Sequence, residues 1–174
     1  GADGSFDAIK ERLSQPDFDG HEAVDFIIKH AMASDPAHKL VLLPVGKLTN
    51  IALALKKEPA IADRVRIVWL GSNYPEPGEY NQINDLSAVN YILDCDVLFE
   101  IAVVRYRQPS GTDAVRASLT EIKEKMPGLG VRIATPVVGR KGGEFYTFGD
   151  YSVDLFVKIG HESRALFDMA AWGV

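Results

Sequence analysis

Cysteine is almost missing from this chain: Cys95 stands alone among 174 residues. That excludes an internal disulfide and leaves no second thiolate for a metal site. Its neighbours Asp94 and Asp96 would raise a thiol pKa rather than activate it, so Cys95 reads as a small apolar residue where a helix turns into a strand. Long apolar runs are missing as well. No stretch approaches the ~20 residues of a membrane span, and no basic-then-apolar segment reads as a secretory signal on this chain, which leaves the compartment open. Clustered positive charge is also absent. The net charge is -5 and the densest basic pair, Arg140-Lys141, reads as a turn, which argues against nucleic acid or an anionic membrane as the main partner. There is no initiating Met: the opening Gly-Ala-Asp-Gly-Ser-Phe reads as a loop into a helix, as expected of a processed, cloned or truncated product.

What is present is ordinary for a globular chain, 47% apolar and 25% charged. The length fits one domain over residues 1–174, able to bury about 70% of its unfolded surface. Apolar periodicity predicts helices over 5–14, 21–33, 49–57, 114–126 and 152–159. Apolar runs predict strands over 39–44, 65–70 and 97–104. Asp85 occupies an N-cap position ahead of a further helix to Leu93. Residues 127–143 read as irregular, 145–151 as a loop, and 165–172 as an apolar run holding one carboxylate. Strands alternating with helices imply an α/β fold with a doubly wound, mostly parallel sheet flanked by helices.

Two features carry chemistry. The loop after the second strand gathers Asn73, Glu76, Glu79, Asn81, Asn84 and Asp85, with no basic residue between Ser72 and Tyr91. Ligands of open α/β sheets sit at that strand end, and carboxylates with amides suit a neutral polyol or a hard cation. The same residues are also ordinary turn formers. The second feature is Asp168, which its apolar neighbours Phe167 and Met169 make a buried carboxylate in need of a metal, a cap or an ion pair with Arg164. His21, His30, His38 and His161 are dispersed. Gly142-Gly143 lacks the Lys-Ser/Thr of a phosphate loop and reads as a hairpin or flexible turn. Tyr146, Phe148 and Tyr151 either line a sugar pocket or pack in a core.

Gly46-Lys-Leu-Thr-Asn-Ile-Ala-Leu-Ala54 resembles the Gly-Pro-Leu-Thr-Asn-Ile-Ala segment of the inosine–uridine-preferring nucleoside hydrolases. Leu70-Gly71-Ser72, Asn73, Glu79-Tyr80-Asn81 and Asp85-Leu-Ser-Ala88 are similar to that family's Gly-Asn…Glu-Phe-Asn-x-x-x-Asp-Pro-Glu-Ala block. Leu166-Phe167-Asp168-Met169-Ala170 resembles its His-Asp-Pro-x-Ala segment. The resemblance runs from the helix at His21 to Ala171 and is thinnest between Arg105 and Gly160.

The resemblance implies a nucleoside-hydrolase-like α/β fold and a Ca²⁺ ion that binds the sugar diol and activates water. Asp168 and the Val45 backbone carbonyl would be calcium ligands, with Asp168 also on a ribose hydroxyl. Asn73 and Glu79 would hold the 5′ side of the ribose and Asn81 its secondary hydroxyls. The family's Asp-x-Asp-x-x-x-Asp-Asp strand, source of most calcium ligands and the general base, has no counterpart here: Asp3, Asp7, Asp17 and Asp19 lie in other contexts. The chain therefore reads as a segment of a larger domain without the first strands, and no catalytic base is assigned on it. Phe167 stands where some members carry a proton-donating His. The implied activity is calcium-dependent hydrolysis of the N-glycosidic bond of a ribonucleoside. The alternatives are a catalytically silent sugar- or nucleoside-binding domain and a furanosidase of the same fold. The implied partners are a small nucleoside or riboside, and a second copy or complementing segment.

Overall fold

The computed structural model describes residues 4–173; Gly1–Asp3, with the first half of the expected opening loop, and Val174 lie outside the described residues. The described chain separates into two compact units, one of residues 4–113 with 167–173 and one of Ala114–Leu166.

The first unit is an α/β assembly. Its elements in order are α1 (Phe6–Ile9) with a 3-10 turn (Lys10–Arg12), α2 (His21–Met32), β1 (Leu40–Leu42), α3 (Thr49–Lys57), a 3-10 turn (Pro59–Arg64), β2 (Val65–Gly71), α4 (Tyr80–Ile83), α5 (Leu86–Leu93) and β3 (Leu98–Val103), followed much later by the last helix, Phe167–Trp172. The strands form a parallel sheet in the order β1-β2-β3; β1 and β3 fall inside the apolar runs that predicted them, and β2 runs one residue past its run, to Gly71. Register places Leu42 beside Ile67 and Ile67 beside Phe99. Leu40, Leu42, Ile67, Trp69 and Phe99 thereby join one cluster with α3 residues Ile51, Leu53 and Leu55 and with Val89 and Ile92 of α5. Leu53, Ile61 and Ile67 are fully buried, each stabilising the fold by about 1.5–3 kcal/mol over an exposed side chain.

The helix over 21–33 forms as expected, with Val24 and Ala31 buried. Phe26, part of the same apolar pattern, faces out with its ring 4.3 Å from His30 one turn on. Asp85 caps α5 by accepting from Ala88 N–H (3.1 Å), and it also accepts from Phe6 N–H (2.8 Å) and from the Thr49 hydroxyl. One buried carboxylate thus fastens α1, α3 and α5. Trp69 lies so close to Gly71 that a Cβ there would stand 2.2 Å from the indole, and its Nε1 donates to the Gly46 carbonyl at 2.9 Å. Only glycine fits the end of β2. Cys95 lies at the helix-to-strand junction, where burial pushes its thiol up with Asp94 adding to the rise.

The opposite sheet face is partly covered by the last helix. Phe167 and Ala171, one turn apart, pack on Leu70, Ala102 and Val104. Farther along, Val41 and Leu98 are half exposed and flank Arg66 in the strand register. Arg66 donates twice to Glu100, at 2.7 and 2.8 Å.

The second unit holds β4 (Arg116–Ser118), α6 (Leu119–Lys125), β5 (Arg132–Val138), β6 (Glu144–Thr147), α7 (Phe148–Ile159) and β7 (Ser163–Ala165). It corrects several expectations. The helix over 114–126 is confined to 119–125, because Ser118 and Glu121 form a reciprocal capping box that starts it there. Ahead of it, β4 pairs antiparallel with β7. The irregular stretch 127–143 contains β5, and the loop at 145–151 is instead β6 running into α7, whose start is fixed by the Thr147 cap on Asp150 N–H. The hairpin reading of Gly142-Gly143 fits the antiparallel β5-β6 pair, whose register shifts between Arg132 and Val137. Phe145 packs on Tyr151 at 5.5 Å, while Tyr146 and Phe148 are exposed.

Candidate functional site

The C-terminal ends of β2 and β3 face a single polar loop system. Gly71 ends β2, Ser72 turns the chain at a left-handed φ of 60°, and its carbonyl accepts from Val104 N–H at 2.9 Å. The loop then carries Asn73 through a cis Tyr74–Pro75 peptide to Glu79. The stretch expected to be wholly loop contains the short helix α4, and Glu79 is its cap.

Glu79 is 2% exposed. One carboxylate oxygen accepts from Ser72 N–H (3.1 Å) and Gln82 N–H (2.8 Å), the other from Asn81 N–H (2.9 Å). With about four acceptor positions on a carboxylate, one is left for a ligand. Asn81 is equally committed: its Nδ2 donates to the Leu70 carbonyl (3.0 Å) and the Val45 carbonyl (3.3 Å). The amide nitrogen therefore bridges the ends of β1 and β2, and the amide oxygen is the group left to accept. Asn73 completes the set. Its Oδ1 accepts from Tyr106 N–H at 2.7 Å, leaving its NH₂ as a donor. One donor and two acceptor positions, at a strand end where open α/β sheets bind ligands, match hydroxyl groups, which donate and accept alike.

Tyr106 is the residue the sequence reading missed. Its ring meets the Phe167 ring edge-on with centroids 5.7 Å apart. Burial raises its phenol pKa, the Glu79 and Asp113 carboxylates add to the rise, and a hydrogen bond from the Tyr80 backbone opposes it. An aromatic residue three positions past a parallel strand was the available signal.

Val45 is exposed and joins the cluster through its carbonyl on Asn81. Asp168, expected to be buried, is exposed. Helical spacing explains the reversal: Phe167 and Ala171 take the sheet-facing positions, leaving Asp168 and Met169 on the outer side. Asp168 makes no hydrogen bond or ion pair with a described residue, and only its neighbour Phe167 ties it to the cluster. Calcium takes six to eight oxygen ligands, and among the described residues no group of three or more His, Cys, Asp or Glu is placed to hold a metal. Asp168 and the Val45 carbonyl do not suffice alone, so the described residues by themselves do not fit a calcium site.

The first unit is thus a parallel α/β sheet with a loop of complementary hydroxyl-binding groups at its strand ends. The chain belongs to the inosine-uridine preferring nucleoside hydrolase family, whose sequence profile matches residues 1–155. It is 46% identical over 57 residues to the inosine-uridine preferring nucleoside hydrolase of Leishmania major, covering 32% of this chain and 18% of that protein. It is 38% identical over 82 residues to the enzyme of the same description from Crithidia fasciculata, covering 44% of this chain and 26% of that one. The structure of the purine-preferring ribonucleoside hydrolase from Gardnerella vaginalis superposes with a TM-score of 0.59 at 22% identity, over 86% of this chain and 46% of that one. The chain thus spans less than half the length of these relatives. No helix among the described residues is long and apolar enough to cross a membrane.

Proposed function

We propose that this chain supplies the sugar-gripping part of a ribonucleoside hydrolase, in which nucleoside and water give ribose and free base. The observation that carries the reading is the tied triad of Asn73, Glu79 and Asn81 at the ends of β1 and β2. Their remaining capacity matches ribose hydroxyls, and all three stand at the positions that carry the family resemblance. Because their backbone and side-chain ties are already made, the ligand meets groups fixed before it arrives, and fixed dipoles stabilise developing positive charge on the sugar ring better than mobile ones. Asn81 accepts from a secondary hydroxyl, Asn73 donates toward the 5′ side, and the last acceptor position of Glu79 takes a further hydroxyl.

Calcium enters this proposal only as what the family resemblance implies, with Asp168 and the Val45 carbonyl as the groups of this chain that would be among its ligands. No step here runs through it. The water-activating base is likewise assigned to no residue of this chain, and Phe167 has no proton to give. Those two observations favour a second reading, a sugar- or nucleoside-binding unit without turnover. A furanosidase acting on a substrate with a good leaving group is the third.

The test is release of p-nitrophenol from its riboside and arabinofuranoside, and of base from inosine and uridine, with calcium and with chelator. Release from ribosides at calcium concentrations above about 1 mM, abolished by chelator and by Asp168→Ala, supports the hydrolase. Faster arabinofuranoside cleavage points to the furanosidase. Ribose binding without release points to the silent unit, and loss of both release and binding refutes all three.

A further inference from the structure

The loop after β3 is built around Tyr106 in a way the sugar-gripping triad does not require. Arg105 and Arg107, on either side of it, hold left-handed φ values of 53° and 59°. Side chains with a Cβ adopt that region rarely, and such residues cluster at functional sites. The surroundings enforce the shape: Arg107 N–H donates to Asp113 Oδ2 at 2.5 Å, Asp113 N–H to the Val104 carbonyl at 3.0 Å, and Tyr106 N–H to Asn73 at 2.7 Å. Tyr106 is thus fixed at its backbone by the sugar loop and at its ring by Phe167. Its phenol hydroxyl carries one proton that can be donated. The proton finds no acceptor among the described residues. Tyr106 nevertheless stays 38% exposed.

Asn73, Glu79 and Asn81 make a polar end suited to a polyol. Tyr106 and Phe167 beside them, packed edge to face, make an aromatic end with one donor. A nucleoside has the same two parts: a ribose, and a heteroaromatic base with acceptor atoms on its rim. Resting on the reading that the loop binds a nucleoside, we propose that Tyr106 is the base-side specificity residue of this site, its O–H donating to an acceptor atom of the base while Phe167 packs against the ring. The raised phenol pKa keeps the proton in place throughout the neutral range.

The test is calorimetric binding of inosine, uridine and ribose to the full chain and to Tyr106→Phe, which keeps the ring and its contact with Phe167. The expected result is a fall of about tenfold in the nucleoside-to-ribose affinity ratio, the worth of one hydrogen bond. Phe167→Leu gives an independent reading and is expected to lower the same ratio. An unchanged ratio in Tyr106→Phe, with inosine or uridine still bound, overturns the inference and leaves the nucleoside reading standing. Equal weakening of ribose and nucleoside also overturns it, because Tyr106 would then only hold the loop. If the unaltered chain binds neither ribose nor nucleoside, the functional reading fails and this inference falls with it.

Discussion

Replacing Glu79 tests whether the ligand loop is held by its own carboxylate. Three backbone N–H groups converge on that side chain at 2.8 to 3.1 Å in a site with almost no solvent access. Glu79→Gln keeps the shape and exchanges one acceptor oxygen for a donating NH₂. If the NH₂ takes the place of the oxygen that serves Asn81, one N–H loses its acceptor and faces another donor. If it takes the other place, Ser72 and Gln82 both lose theirs. The cheaper arrangement forfeits one hydrogen bond to a carboxylate, about 1.5–3 kcal/mol. Glu79→Ala forfeits three and leaves space behind; their sum overshoots because the loop relaxes and partly rehydrates, so the expected loss is about 3–5 kcal/mol. Urea unfolding of the ligand-free chain reads both from the midpoint at constant slope. Amide hydrogen exchange adds site resolution, with Ser72, Asn81 and Gln82 exchanging faster in the variants. Glu76→Gln, on the same loop but exposed, serves as a control within about 0.5 kcal/mol. A Glu79→Gln variant as stable as the control, with those three amides unchanged, refutes the reasoning and returns Glu79 to a purely ligand-facing role.

Asp85→Ala removes the buried acceptor shared by Phe6, Thr49 and Ala88; the cap and two further bonds make the expected loss about 3–5 kcal/mol in the same denaturation assay. Acid should fray the helices of the second unit. The Ser118 N–H and hydroxyl hold Glu121 below its ordinary value of about 4.5, and the Thr147 hydroxyl with Gly128 N–H holds Asp150 below about 3.8. A depressed folded pKa gives stability that is complete above the ordinary value and is lost as pH falls through the folded one. Helical circular dichroism should therefore be constant from neutrality to about pH 5 and decline below it. Calcium added to this chain alone should show no saturable binding below about 1 mM by calorimetry, since weak sites already sit near that concentration with more ligands than Asp168 and Val45 provide.

The sheet was legible in the sequence because buried parallel strands are short apolar runs; Leu40–Leu42 and Leu98–Val103 each fall in one, and Val65–Gly71 overruns its own by a single residue. Asp85 was legible as a cap because Asp is among the residues that favour that position. Glu79 was not: Glu is no usual cap, so its commitment to three amides was hidden behind its capacity to bind hydroxyls. Tyr106 was hidden because left-handed backbone at two arginines leaves no trace in composition or period. Asp168 misled because apolar neighbours in sequence are not neighbours in space on a short helix with one buried side. The second unit resisted because Gly128, Gly130, Gly142 and Gly143 read as breakers, and Pro136 inside β5 argues against a strand.

The guanidinium of Arg66 stands between Val41 and Leu98 in one row across the sheet, clamped by Glu100. Another apolar layer stacked on that half of the face would have to bury the pair or break it, and either is unfavourable for ions without further partners. Sideways growth meets no such obstacle, since β1 pairs with β2 alone among the described residues. The sheet is thereby given a direction of assembly: a new strand can be added at the β1 or the β3 edge, while face-to-face stacking of the kind that builds fibrils is opposed by a single arginine.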